Sequence, residues 1–259
     1  MSNARSVLVS VVGRDFADLN LAETAHQLDA QLRALDELNP KLADVVAAEL
    51  TADGPVVIQG TGDTHFDSVA AAAVGVPLLF VAEQEKLLWA DTVIFQFPLW
   101  WFSMPAIMKG WIDRVYAWGF AYGVGEHSDR HWGDRYGEGT FVGKRAMLIV
   151  TAGGWAEHYS PRGINGPIDD ILFPIQHGML FYPGFEVLPP LVFYRTDKTD
   201  AGQFADQCAA LAERLDTLWQ TEPIPFRRQN HGDYLIPSLT LRPELAPGQS
   251  GLAVHLRSE

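Results

Sequence analysis

Cysteine is almost absent from this chain: Cys208 stands alone among 259 residues, which excludes any intramolecular disulfide. It falls within the pattern of the last helix, where a thiol is expected to be buried as a small apolar group and not to act as a nucleophile. Positive charge is also scarce, with 19 Lys and Arg against 32 Asp and Glu and a net charge of −13. That balance excludes nucleic acid and anionic membrane surfaces as main partners, although an anionic cofactor would need only local donors. Long apolar runs are missing. The run over residues 7–12 is too short for a signal segment and far too short to span a bilayer. A soluble, cytoplasmic protein with no membrane insertion is expected, and no internal repeat is visible. The 47% of apolar residues suffices for one large packed domain with extensions.

The hydrophobic pattern alternates between strand and helix. Residues 7–12 read as a first strand, and Leu21, Ala25, Leu28, Leu32 and Leu35 share one helical face. After the break at Asn39-Pro40, a second helical piece runs to Leu50. The turn Asp53-Gly54 leads to a second strand over 56–59, and 60–67 reads as loop. A helix over 82–89 precedes a third strand at 92–97. Residues 124–143 form a polar loop rich in glycine and histidine, 145–150 a fourth strand and 167–181 a helix. A fifth strand spans 187–194, with Pro189-Pro190 suggesting a sheet edge, and 199–219 is an amphipathic closing helix. Beyond Glu222 the texture turns to Pro, Gly and Arg without a period. The predicted organisation is an α/β domain over 1–222 and a tail or arm over 223–259.

The most informative stretch is 91–123, DTVIFQFPLWWFSMPAIMKGWIDRVYAWGFAYG. Its first part suits a strand buried on both faces, and Pro98 ends the run because it has no N–H for a sheet. Leu99, Trp100, Trp101 and Phe102 follow in a row. A helix comes next, with Pro105 in its first turn and Ile107, Trp111, Val115 and Trp118 at helical spacing. Aromatic surface between a strand's carboxyl end and a helix is where an open α/β sheet seats a planar ligand. An aromatic core corner would use the same residues.

This stretch resembles the core motif of the flavodoxin-like NAD(P)H:quinone oxidoreductases, of the DT-diaphorase and bacterial drug-activity-modulator type. The matching residues are 95–102, Pro105-Ala106, 109–111 and 120–122, and the likeness extends from about Val81 to Pro190. It implies a doubly wound parallel sheet of five strands in the order 2-1-3-4-5, with a crevice at the strands' carboxyl ends. It implies a bound flavin (FAD, with FMN possible), NAD(P)H as co-substrate, a quinone acceptor and a homodimer. Pro98, Leu99, Trp100, Trp101 and Phe102 would form the ring shelf, with Trp101 and Phe102 flanking the flavin and the nicotinamide or quinone. Thr151, Ala152, Gly153 and Gly154 match the family's glycine loop, where adjacent glycines let a flat ring approach backbone N–H groups. Taken alone, the two glycines also fit an ordinary tight turn.

The same resemblance makes Tyr159, Asn165 and Tyr122 the candidate catalytic residues. Tyr159 matches the family's tyrosine, and Tyr122 one that lines the substrate side. Asn165 stands where close members have a histidine. An amide can donate a hydrogen bond but takes up no proton at neutral pH, so a proton relay would fall to His158 or water. Two other classes share these motifs: an ancillary regulatory flavoprotein of a potassium-efflux transporter, and a homologue that keeps the fold but binds flavin poorly. Several weaker signals carry no assignment. His127 and His131 are four apart on a loop without a third ligand, so no metal is expected. Residues 139–144 lack the spacing of a phosphate loop. Glu157-His158 and Arg227-Arg228 read as exposed charge.

The family's phosphate loop is where the likeness breaks. Asn20 is retained, but Gly13 replaces its histidine and Asp18 its serine. A carboxylate beside a flavin phosphate opposes the anion-binding helix end, which Arg14 could offset. At partly screened dielectric the repulsion amounts to about 1 to 3 kcal/mol. Asp18→Ser is therefore expected to tighten flavin binding, with a gain that shrinks in high salt. Titration of apoprotein with FAD and FMN measures it, and equal affinities for the two proteins would mean that the carboxylate points elsewhere.

Overall fold

The computed structural model describes the strand Val7–Val11 and residues 79–257. The helices expected within 21–50, the strand over 56–59, the loop over 60–67 and Asn20 lie outside the described residues. The parallel sheet consists of β1 (Val7–Val11), β2 (Thr92–Pro98), β3 (Arg145–Ala152), β4 (Glu186–Val187) and β5 (Leu191–Tyr194). β1 pairs with β2, β2 with β3, and β3 with both β4 and β5. The fold is α/β as expected. Where the strand over 56–59 would stand in the order lies outside the described residues.

Burial along β2 and β3 explains why these runs are apolar without alternation. Val93, Phe95, Phe97, Ala146, Leu148 and Val150 enter one core, while Ile94, Met147 and Ile149 enter another. Successive strand side chains point to opposite faces, so the two cores are the two faces of one sheet. The first is covered by α1 (Leu79–Trp89), α2 (Ala106–Val115) and α3 (Ile168–Ile175), through Leu87, Met108, Ile112, Val115, Leu172 and Ile175. On the second, Leu211 of α4 (Ala201–Asp216) and Leu218 just beyond it pack against the sheet.

Polar side chains close the helix ends. Lys144 Nζ donates to the carbonyls of Leu88 and Ala90, each at 2.7 Å, which satisfies acceptors that the end of α1 leaves open. Asp200 and Gln203 form a capping box at the start of α4. Arg145 Nη1 reaches the carbonyls of Leu218 (2.7 Å) and Thr221 (3.0 Å), and Arg214 reaches that of Pro189 (2.7 Å).

Several expectations need correction. The fifth strand is two short ones, because Pro189 and Pro190 have no N–H to continue the ladder. β3 runs on to Ala152, so Thr151 and Ala152 are strand residues and the loop begins at Gly153. The buried stripe of α2 is Met108, Ile112 and Val115; Ile107 is exposed, and Trp118 lies past the helix end. Pro105 precedes that helix as its N-cap. Cys208 is exposed, because the inward stripe of α4 is Gln207, Leu211 and Arg214. The helix over 167–181 opens into a wide turn at Gln176–Phe181 after Pro174, where the missing N–H breaks the regular bond pattern.

The arm is not a structureless tail. It forms a hairpin, β6 (Tyr234–Leu235) with β7 (Thr240–Leu241), and buries Phe226, Arg227, Gln229 and Tyr234. Arg227, read from the sequence as surface, is buried and paired with Asp233 at 2.8 Å. Leu148 is fully buried at the sheet centre. Leu148→Ala is expected to destabilise the protein by about 2 to 5 kcal/mol, measurable by denaturant unfolding.

Candidate functional site

The carboxyl ends of β2, β3 and β5 deliver three segments to one edge of the sheet. Pro98 lies in register with Thr151, and Leu99 N donates to the Thr151 carbonyl at 2.8 Å. This pairing ties the aromatic shelf to the glycine loop. Trp100 and Ser103 exchange backbone hydrogen bonds of 3.0 and 3.1 Å, which close a two-residue turn over Trp101 and Phe102.

Both turn residues are left-handed, with φ of 50° and 62°. That conformation costs an L-residue roughly 1 to 2 kcal/mol, and glycine would avoid most of it. The turn instead holds two large rings outward, Trp101 at 94% exposure and Phe102 at 50%. Trp100 is exposed as well, and only Leu99 packs against the core. The shelf is therefore no core corner. Strain that displays apolar rings at the ligand edge of an α/β sheet has the character of a binding feature.

Across from it, the glycine pair is not a left-handed turn. Gly154 is needed for room: a Cβ there would lie 3.0 Å from Tyr159 Cε2 and 3.2 Å from His158 Nδ1. Tyr159 ends a short 3-10 turn (Ala156–Tyr159) folded back over the loop. Its hydroxyl makes no hydrogen bond among the described residues. Gly163 draws the next segment equally close, since a Cβ there would stand 2.2 Å from the His158 carbonyl oxygen. Asn165 N then donates to that oxygen at 3.0 Å, which pins Asn165 beside His158. The Asn165 amide is unengaged among the described residues.

The end of β5 completes the edge with residues that the sequence reading missed. Tyr194 lies 5.6 Å from Tyr159, ring to ring. Burial, then the negative charge of Asp169 and the neighbouring Tyr159, raise its pKa above the usual phenol range. Arg195 N donates to the Gly154 carbonyl at 3.0 Å, and its guanidinium stacks over Trp155 at 3.8 Å. Their only sequence signal was position, Tyr194 at the end of the last predicted strand and Arg195 directly after it. Tyr122 is not drawn in: it is partly exposed, and Gly119 N donates to its carbonyl. No ring contact or hydrogen bond among the described residues joins Tyr122 to the shelf.

The histidine loop is organised differently from its spacing. His127 packs edge-on against Trp132. His131 bonds Asp134 at 2.7 Å, and Asn230 donates to Glu138 at 2.6 Å. These contacts tie the loop to itself and to the arm.

Residues 18–217 match the flavodoxin-like fold family. The solved structure of a candidate quinone reductase from Klebsiella pneumoniae is 71% identical and has a TM-score of 0.77, covering 98% of this chain and 100% of that one. The ribosyldihydronicotinamide dehydrogenase-like protein traD of Penicillium crustosum is 63% identical over 179 residues, 68% of this chain and 66% of its own. Human ribosyldihydronicotinamide dehydrogenase (quinone) is 45% identical over 149 residues, 58% of this chain and 61% of its own. The matched part thus spans just under two thirds of these curated relatives.

Because Trp101 is held left-handed in solvent, Trp101→Gly is expected to leave stability unchanged or raise it by up to about 1 kcal/mol, strain relief outweighing glycine's extra unfolded-state entropy. Retention of a flat ring ligand is expected to fall at least tenfold. Thermal unfolding and flavin titration of the one variant check both; full retention would reduce the shelf to a surface loop.

Proposed function

Because the chain belongs to the flavodoxin-like fold family, we propose that it is an NAD(P)H dehydrogenase (quinone). It would reduce quinones or related flat acceptors by two electrons at the carboxyl edge of the sheet. The observation that carries this reading is the strained Trp101-Phe102 turn held beside the Gly153-Gly154 loop by the Pro98–Thr151 pairing. Exposed rings and a side-chain-free backbone suit the two faces of a planar group. The donors suit its polar edge.

A bound flavin, FAD in this reading, supplies the chemistry of accepting hydride from NAD(P)H and passing it to the acceptor. The protein's part is to seat and polarise. Trp101 and Phe102 cover a ring face and keep water from it. Gly153 and Gly154 let backbone N–H groups approach the ring edge, and the Tyr159 hydroxyl donates a hydrogen bond where negative charge accumulates. The Asn165 amide can orient an acceptor's carbonyl but cannot supply a proton, which leaves that task to water or His158. Residues 1–222 form the flavin-binding domain and 223–259 the arm in this reading. Tyr122 lines the substrate side, the protein is a homodimer, and it works in the cytoplasm in this reading.

The first test is the absorption spectrum of the purified protein, with the released cofactor identified and quinone turnover measured with NADH and with NADPH. Flavin without turnover would favour a regulatory flavoprotein, and no flavin at all a homologue that has lost the cofactor. Tyr159→Phe removes one hydroxyl and little volume. It is expected to slow flavin reduction in stopped flow about tenfold or more, with flavin affinity changed less. An unchanged rate would remove Tyr159 from the mechanism.

A further inference from the structure

A second cavity lies away from the sheet edge, where the arm meets the body. Its volume is about 280 Å³, and its walls include Tyr136, Phe173, His177, Arg227, Tyr234 and His255. His177 is sandwiched between two rings, Phe173 at 4.6 Å and 16° and Tyr136 at 4.8 Å and 29°. The arm supplies the opposite side, with Tyr234 and His255 nearly parallel at 18° and joined by a 2.9 Å hydrogen bond. Leu239 and Gln229 complete the lining. Planar walls of this kind favour a planar guest, and the volume admits only a small one.

The polar groups divide into committed and free. Gln229 is spent: its amide donates to the carbonyls of Trp132 and Gly133, and its oxygen accepts from Arg135. Arg227 gives Nε to the Val254 carbonyl and Nη1 to Asp233, at 3.0 and 2.8 Å. His177 bonds nothing through either nitrogen among the described residues; Nε2 is enclosed, which leaves Nδ1 to meet a guest. Unmade bonds at buried polar atoms are rare in folded proteins.

Charge is balanced throughout. Arg227 is matched by Asp233. Burial, with His255 nearby, lowers the His177 pKa to about 4, and burial with Arg227 nearby lowers that of His255. Burial pushes Tyr234 up to about 12. All of these rings are neutral at pH 7. A charged guest would meet no free counter-charge and would lose hydration.

We propose that this cavity is a binding site for a small, flat, uncharged aromatic molecule bearing one polar edge group, such as a phenol, which pairs with His177. The site is independent of flavin and of the sheet-edge chemistry. It joins body to arm, so an occupant would also hold the arm in place.

The probes are 2-naphthol and naphthalene, titrated into the flavin-loaded protein and followed by the imidazole resonances of His177 and His255. Saturable shifts are expected with 2-naphthol, at an affinity at least fivefold above that of naphthalene. Leu239→Trp fills the cavity and is expected to weaken 2-naphthol binding tenfold or more, with flavin content and quinone turnover near wild type. His177→Phe keeps a ring in the sandwich but removes the nitrogens, and is expected to erase the preference for the hydroxyl. The proposal is overturned if Leu239→Trp binds 2-naphthol with wild-type affinity, if the preference survives His177→Phe, or if wild type shows no saturable shift.

Discussion

The parallel pairing of β2 with β3 is the constraint on which the rest of this molecule depends. Seven residue pairs run from Thr92↔Arg145 to Pro98↔Thr151, buried on both faces over most of their length. A slip of one residue would exchange the two faces and place Phe95 and Phe97 where Ile94 now packs. The register is therefore set by side-chain volume on two sides at once. It also decides what stands at the carboxyl edge, since the residues that follow Pro98 must lie beside those that follow Thr151.

What the edge presents runs against local preference. Two bulky aromatic residues occupy a turn that glycine or asparagine would enter with little strain. The ladder below and the reciprocal Trp100–Ser103 bonds over-determine the turn, which is the condition under which such strain persists. On the other side of the crevice glycine appears for the opposite reason. Gly154 has no unusual backbone angle, and its missing Cβ makes room for Tyr159. Strain on one side and a close approach on the other set exposed apolar rings and bare backbone at one edge of the sheet.

The arm shows a different economy. Its buried Gln229 donates to the carbonyls of Trp132 and Gly133 in the body, while Arg227 is held within the arm by Val254 and Asp233. Such bonds specify one docking geometry, because a buried polar group left unmatched is more costly than a mismatched apolar contact. The aromatic layer beneath, from Phe226 through His177 to Tyr136, supplies the area.

Much of this was legible in the chain itself. The β-branched and aromatic run at 92–97 announced a strand covered on both faces, and the apolar run at 145–150 announced another strand. The long match around 95–122 announced the flavodoxin-like family, and its aromatic and glycine segments marked the ends of the right strands. Those features are local, and a period or motif carries them. Tertiary structure alone decided the left-handed turn at Trp101-Phe102, the split of the fifth strand around Pro189-Pro190, and the exposure of Cys208. It alone revealed Tyr194, Arg195 and the buried Arg227, because Tyr159, Gly154 and Val254, which they meet, lie far away in sequence. Arg227 and Asp233 read as surface charge in any window of residues. Only the fold that brings Val254, His255 and His177 against them turns that charge into a buried pair, since burial is a property of neighbours and not of the residue.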